Sequence, residues 1–214
     1  MIYVFGESFS EDYSKNPETS TLKSYLRYKG YNIKLYVDLL SEYLNQPLSN
    51  HSFSGMCNEY ILTKFMQNYH KIQPGDVVVF GWTDLTRFMY VNENRWMTNL
   101  WGPNSLSQNT IDEMRVVRMH KLYEKKQLDT IKFIDDILPN NTTIHWTWAT
   151  VPPIHSLTIT KETNGDIVDS HYGEEGHIDL YNKIVEQLKV TNRVKIDLWD
   201  YNEPLTDRYG RGVI

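Results

Sequence analysis

Apolar positions along this chain follow two alternating rhythms. Ile2 to Phe5 is a short unbroken apolar run that stops at Gly6, the pattern of a strand buried on both faces. Glu18 to Tyr28, behind Pro17, is rich in helix formers, and Gly30 stands where that helix would end. Tyr36, Val37, Leu39, Leu40, Tyr43 and Leu44 recur at helical spacing, and Asn45-Gln46-Pro47 then breaks the pattern with a turn. Leu48 to Phe53 reads as a second, extended strand. A helix is expected from Asn58, with Ile61, Leu62, Phe65 and Met66 on one face. Pro74-Gly75-Asp76 introduces Val77 to Phe80, the clearest buried strand of the chain. Leu122 to Leu138 carries an apolar stripe at Leu128, Ile131, Phe133, Ile134 and Ile137. Thr142 to Ala149 reads as a strand, Glu175 to Leu188 as a helix and Val194 to Leu198 as a last strand. This alternation predicts an α/β protein, a three-layer αβα sandwich around a central parallel sheet.

The 214 residues suit a single domain. Two regions stand apart from the regular pattern. Residues 88–121 hold Trp96, Trp101, Pro103 and many Asn and Ser, and read as an elaboration beside the core. Residues 199–214 form a polar, turn-rich tail that suits a surface arm or a segment docking on a partner, another copy or a virion component. A net charge of -5 argues against a dedicated nucleic-acid binder, which needs a basic surface. There is no apolar run of membrane-spanning length. Met1 to Phe5 reaches Gly6-Glu7-Ser8 too soon for a signal peptide, so cytoplasmic synthesis without a membrane span is expected. A single cysteine, Cys57, excludes an intramolecular disulfide and a Cys-rich zinc site. Aromatic residues are plentiful at 13%; they can line a carbohydrate cleft or simply fill a core.

Four short segments fall at expected strand ends or helix entries. Gly6-Glu7-Ser8-Phe9 follows the first strand, where open parallel sheets place their ligands, and Ser8 can serve as a nucleophile with its own N–H turned to an oxyanion. Ser54-Gly55-Met56-Cys57-Asn58 precedes a helix, so the Gly55 N–H is a second oxyanion donor. Gly81-Trp82-Thr83-Asp84 follows the strongest strand, and the Thr83 hydroxyl is a third. Asp169-Ser170-His171 leads into the last helix. His171 can take a proton from Ser8 while Asp169 holds its tautomer. Each segment also has a plain reading as a capped glycine turn or a polar helix-entry loop. His171 and His177 are six apart, which is no helical metal pair, and no thiolate supports them, so neither a metal nor another cofactor is expected.

These segments, in this order, resemble the blocks of the SGNH hydrolases, the GDSL esterases and lipases. Gly6-Glu7-Ser8 resembles the nucleophile block, Ser54 to Asn58 the block with the oxyanion glycine, Gly81-Trp82-Thr83-Asp84 the Gly-x-Asn-Asp block, and Asp169-Ser170-His171 with Gly176-His177 the Asp-x-x-His block. The resemblance runs from Ile2 to about Leu188. It implies a flavodoxin-like sheet, a Ser8–His171–Asp169 triad, an oxyanion hole from Ser8, Gly55 and Thr83, and ester hydrolysis through an acyl-serine. Three departures are evident. Glu7 replaces an aspartate to which the resemblance gives no catalytic part, Thr83 stands where the family has its oxyanion asparagine, and Asp169 is two rather than three residues before His171. Asn58 is an alternative donor for the hole.

A small acyl group, such as acetyl, on a polar or sugar scaffold fits the aromatic and Asn-rich elaboration better than a long-chain lipid does. A second reading is a weakly active or inactive scaffold on the same fold, acting as a structural or binding protein in a phage particle, since short chains of this style resemble phage-encoded ones. The intact Ser8, Asp169 and His171 favour the enzyme. A nucleotide binder ranks last, because Gly6-Glu7-Ser8-Phe9-Ser10 has one glycine and no phosphate-cradling loop.

Overall fold

The computed structural model describes residues 1–12, 34–83, 87–92, 95–100, 110–147, 156–159, 167–172 and 174–196, without the side chains of 87–92, 95–100, 110–121, 123–124, 156–159 and 167–172. In chain order the strands are β1 (Ile2–Gly6), β2 (Leu48–Asn50), β3 (Val77–Trp82), β4 (Arg87–Asn92), β5 (Arg95–Leu100), β6 (Thr142–Thr147), β7 (Ser156–Ile159), β8 (Ile167–Tyr172) and β9 (Arg193–Ile196). The helices are α1 (Tyr36–Leu44), α2 (Asn58–Asn68), α3 (Thr110–Ile137) and α4 (Glu174–Leu188).

Five strands form one parallel sheet in the order β2-β1-β3-β6-β9. This is the doubly wound α/β arrangement that the apolar runs predict. Alternate residues of each strand face opposite sides, as the pleat requires. Ile2 and Val4 of β1, Val77 and Val79 of β3, and Ile144 and Trp146 of β6 join Tyr36, Val37 and Leu40 of α1 and Leu180 and Ile184 of α4 in one core cluster. Tyr3 and Phe5, and Val78, Phe80 and Trp82, join Ile61 and Phe65 of α2 and Ile131 and Ile134 of α3 in the other. Helices therefore pack on both faces. Fully burying an aromatic such as Phe5, Phe65 or Phe80 contributes roughly 1.5–3 kcal/mol each.

Strand order reverses between β1 and β3. The chain leaves β1 toward β2 on one side and returns to β3 on the other, with Gly6 paired to Gly81. In sheets of this kind the crevice at the carboxyl ends of the strands flanking the reversal is the ligand position. Ser8 and Thr83 each lie just beyond one of those two ends.

Several elements differ from the sequence pattern. β2 stops at Asn50, although His51 N and Phe53 N still donate to Val4 O and Gly6 O at 2.8 and 3.1 Å. α3 begins at Thr110 rather than Leu122, because 110–121 is rich in good helix formers without a continuous apolar stripe. The elaboration also holds an antiparallel hairpin, β4–β5, whose β4 lies against α2. A second hairpin, β7–β8, occupies the approach to α4, where the sequence suggests only a loop. The expected helix at 18–28 and the tail at 199–214 lie outside the described residues. Among the described residues no helix is long and apolar enough to cross a membrane.

Candidate active site

β1 ends in a tight turn built on Glu7. Ser10 N donates to Glu7 O at 2.9 Å, and Phe9 N reaches Glu7 Oε1 at 3.4 Å. Ser8 follows directly, 3% exposed, and its hydroxyl donates to Glu7 Oε2 at 2.5 Å. That length belongs to the short, charge-assisted class of O–H···O⁻ bonds. Glu7 is itself 1% exposed. The residue to which the resemblance gives no part thus accepts from the Ser8 hydroxyl.

Behind this turn the Ser10 hydroxyl lies between the two strand ends. A Cβ on Gly6 would come within 2.8 Å of Ser10 Oγ, and one on Gly81 within 2.7 Å. Only glycine at both positions lets the wedge sit there. Ser10 Oγ shares a 2.8 Å hydrogen bond with Tyr36 OH, which accepts from Trp146 Nε1, also at 2.8 Å. Burial pushes the Tyr36 phenol well above its ordinary range, so it stays neutral. Tyr36 also stacks on His177 with 6.2 Å between ring centres, and its N–H donates to His177 Nδ1 at 3.4 Å. The first turn of α4 is thereby held against the support of the Ser8 turn.

The segment after β2 is stitched along the same turn. Asn50 Nδ2 donates to Ser10 O at 2.6 Å, Phe53 N to Gly6 O at 3.1 Å, and Ser54 N to the buried Glu11 carboxylate at 3.0 Å. Gly55 comes next, with φ +75°, a left-handed conformation that favours glycine. Cys57 caps α2 from a buried position, and burial pushes its thiol up to about 11. Only on the order of one such thiol in ten thousand is ionised near neutrality, which leaves Ser8 as the nucleophile candidate of this cluster.

At the end of β3, Thr83 is fully buried and locked from α2. Asn58 Oδ1 accepts from Thr83 N at 2.9 Å, and Asn58 Nδ2 donates to Thr83 O at 3.1 Å. Asn58 is therefore committed to holding Thr83. The Thr83 hydroxyl is buried and has no hydrogen-bond partner among the described residues. A buried hydroxyl left unpaired carries a desolvation cost. On the other face, Trp82 Nε1 donates to His145 Nδ1 at 3.2 Å and stacks on the same ring. His145 Nε2 meets Asp135 at 3.2 Å. Burial lowers the His145 pKa. Burial alone would raise that of Asp135, but hydrogen bonds from His145 and Thr143, with the charge of Lys195, bring it well below the usual range.

Asp169 and His171 fall on β8, where register shifts between Ser156 and Leu157: Ser156 pairs with Tyr172 and Leu157 with Asp169. Ser170 and His171 are thus the extra residues, and such bulges re-aim side chains. Their own side chains lie outside the described part of the structure, as does all of Asp84. Ser8, Gly55 and Thr83 stand on three segments joined by the hydrogen bonds above. Sequence reasoning missed Glu7, Ser10 and Tyr36. Only Glu7, an acid directly beside the candidate serine, left a readable signal. No family model matches this chain, and no curated protein is similar to it in sequence.

Proposed function

We propose that the protein is a serine ester hydrolase acting through an acyl-serine intermediate. The observation that carries this reading is the pairing at the β1–β3 reversal. A buried serine bonded to a buried carboxylate follows one strand, and a buried hydroxyl with no partner among the described residues follows the next. Ser8 Oγ attacks the ester carbonyl carbon, and the carbonyl oxygen becomes an oxyanion. Thr83 Oγ1, with the N–H groups of Ser8 and Gly55, donates to it. His171, oriented by Asp169, is the acid–base group that the resemblance supplies. The alkoxy group leaves with a proton, and water then releases the acid from Ser8.

The substrate class is read from the elaboration after β3. The β4–β5 hairpin starts four residues after Thr83 and carries Trp96 on β5. An aromatic elaboration of this kind suits a small acyl ester, acetyl above all, on a carbohydrate. A panel running from acetylated sugars to long-chain esters tests this; long-chain esters turning over faster would reject it. Thr83→Val tests the hole. The valine removes an unpaired buried hydroxyl, so stability should hold or rise by about 1 kcal/mol, while kcat should fall on the order of 100-fold or more. Unchanged kcat would remove Thr83 from the mechanism.

A further inference from the structure

Burying a carboxylate is costly unless it is well bonded, yet Glu7 is carried, 1% exposed, against the one hydroxyl that the proposed reaction must deprotonate. Its two oxygens are used differently. Oε1 faces Phe9 N at 3.4 Å and supports the turn, while Oε2 takes the Ser8 hydroxyl at 2.5 Å. Its charge also reaches Tyr36 on α1, whose phenol is raised mainly by burial and further by Glu7. Tyr36 remains neutral, so it does not compete for the proton.

We propose that Glu7 is a catalytic residue, the general base that takes the Ser8 proton, with His171 left to the leaving-group side. This rests on the esterase reading above. As Oγ forms its bond to the acyl carbon, the O–H bond breaks and its proton goes to Glu7 Oε2, while the carbonyl π pair moves onto oxygen. When the carbon–alkoxy bond breaks, that proton passes by way of His171 to the alkoxy oxygen. In the second half a water proton takes the same route, hydroxide adds to the acyl carbon, and Ser8 Oγ leaves with the proton restored. A base already within hydrogen-bond reach of its proton is the geometric requirement for this role.

A fluorophosphonate probe separates the two candidate bases, because fluoride departs without needing a proton donor. Labelling rates at Ser8 are compared for the wild-type protein, Glu7→Gln and His171→Ala, with circular dichroism confirming the fold. Glutamine can keep the support to Phe9 N but cannot take up a proton. The expected result is a loss on the order of 100-fold or more in Glu7→Gln, and labelling within about tenfold of wild type in His171→Ala. Labelling of Glu7→Gln at the wild-type rate, or its abolition by His171→Ala alone, overturns the inference while leaving the esterase intact. A folded wild-type protein that does not label overturns both. The His171→Ala arm needs no change at position 7, so the inference can still be overturned where Glu7→Gln fails to fold.

Discussion

Replacing Asn58 by alanine removes both ends of one carboxamide from the Thr83 peptide. In the native protein Thr83 N and O are satisfied by Asn58 at 2.9 and 3.1 Å, and Thr83 is fully enclosed. With alanine at 58, a buried N–H and a buried C=O lose their partners together. Each orphaned group costs about 1–3 kcal/mol, partly offset because the buried amide of Asn58 is also gone. The net expectation is a destabilisation of roughly 2–4 kcal/mol, a substantial part of the 5–15 kcal/mol typical of a domain. Asn58→Asp should recover some of this, since a carboxylate still accepts from Thr83 N, but it leaves Thr83 O facing a negative charge instead of a donor. Urea unfolding followed by tryptophan fluorescence reads both variants, Trp82 being the residue next to Thr83. The same loosening should lower the proposed esterase activity, because this clamp fixes the backbone that carries the Thr83 hydroxyl. A loss below about 0.5 kcal/mol in Asn58→Ala, within the range of an ordinary surface change, would show that the clamp does not hold Thr83.

Two further outcomes follow from the same geometry. Gly6→Ala drives a Cβ to 2.8 Å from Ser10 Oγ and 3.0 Å from Ser10 Cβ; overpacking of this kind should cost about 1–3 kcal/mol, and Ser10→Gly added to it should return more than half of the loss in a double-mutant cycle. Acidification should destabilise the fold in two stages. His145 is held neutral with a lowered pKa, so the stability it gives is full above about pH 6.5 and falls as the pH drops below that, by up to about 1.4 kcal/mol per unit. Asp135 is held ionised with a lowered pKa, so its contribution is full above about pH 4 and is lost as the pH falls further. Between pH 6.5 and 5 the slope of unfolding free energy should be steeper in the wild-type protein than in His145→Gln, and equal slopes would exclude His145 as its source.

The sheet was legible because β1 and β3 are unbroken apolar runs of the kind that only a doubly covered strand can bury. The turns that carry Ser8, Gly55 and Thr83 were legible for a related reason: a glycine beside a small polar residue marks where a strand or helix gives way to a turn. β8 escaped notice because its six residues, Ile167 to Tyr172, mix apolar and polar types around a bulge, and no single period describes them. α3 was placed too late because its first turns carry helix propensity without amphipathic periodicity. The supports of the site were illegible in principle. Asn58 meets Thr83 across 25 positions, and Ser10, Tyr36 and Trp146 form one chain of hydrogen bonds from residues as much as 136 positions apart; only the fold makes neighbours of them. Glu7 carries a different lesson. Its type and place were plain, but the resemblance gave that position no part in chemistry, and only the fold brings its carboxylate onto the Ser8 hydroxyl.

The proposed reaction requires Ser8 to be an activated nucleophile. Exposing the purified, folded protein to a fluorophosphonate probe and mapping the adduct by mass spectrometry tests this. One adduct is expected at Ser8, absent in Ser8→Ala and slowed by prior incubation with an acetyl ester. No adduct on the folded protein, or an adduct at another residue with Ser8 untouched, would contradict it.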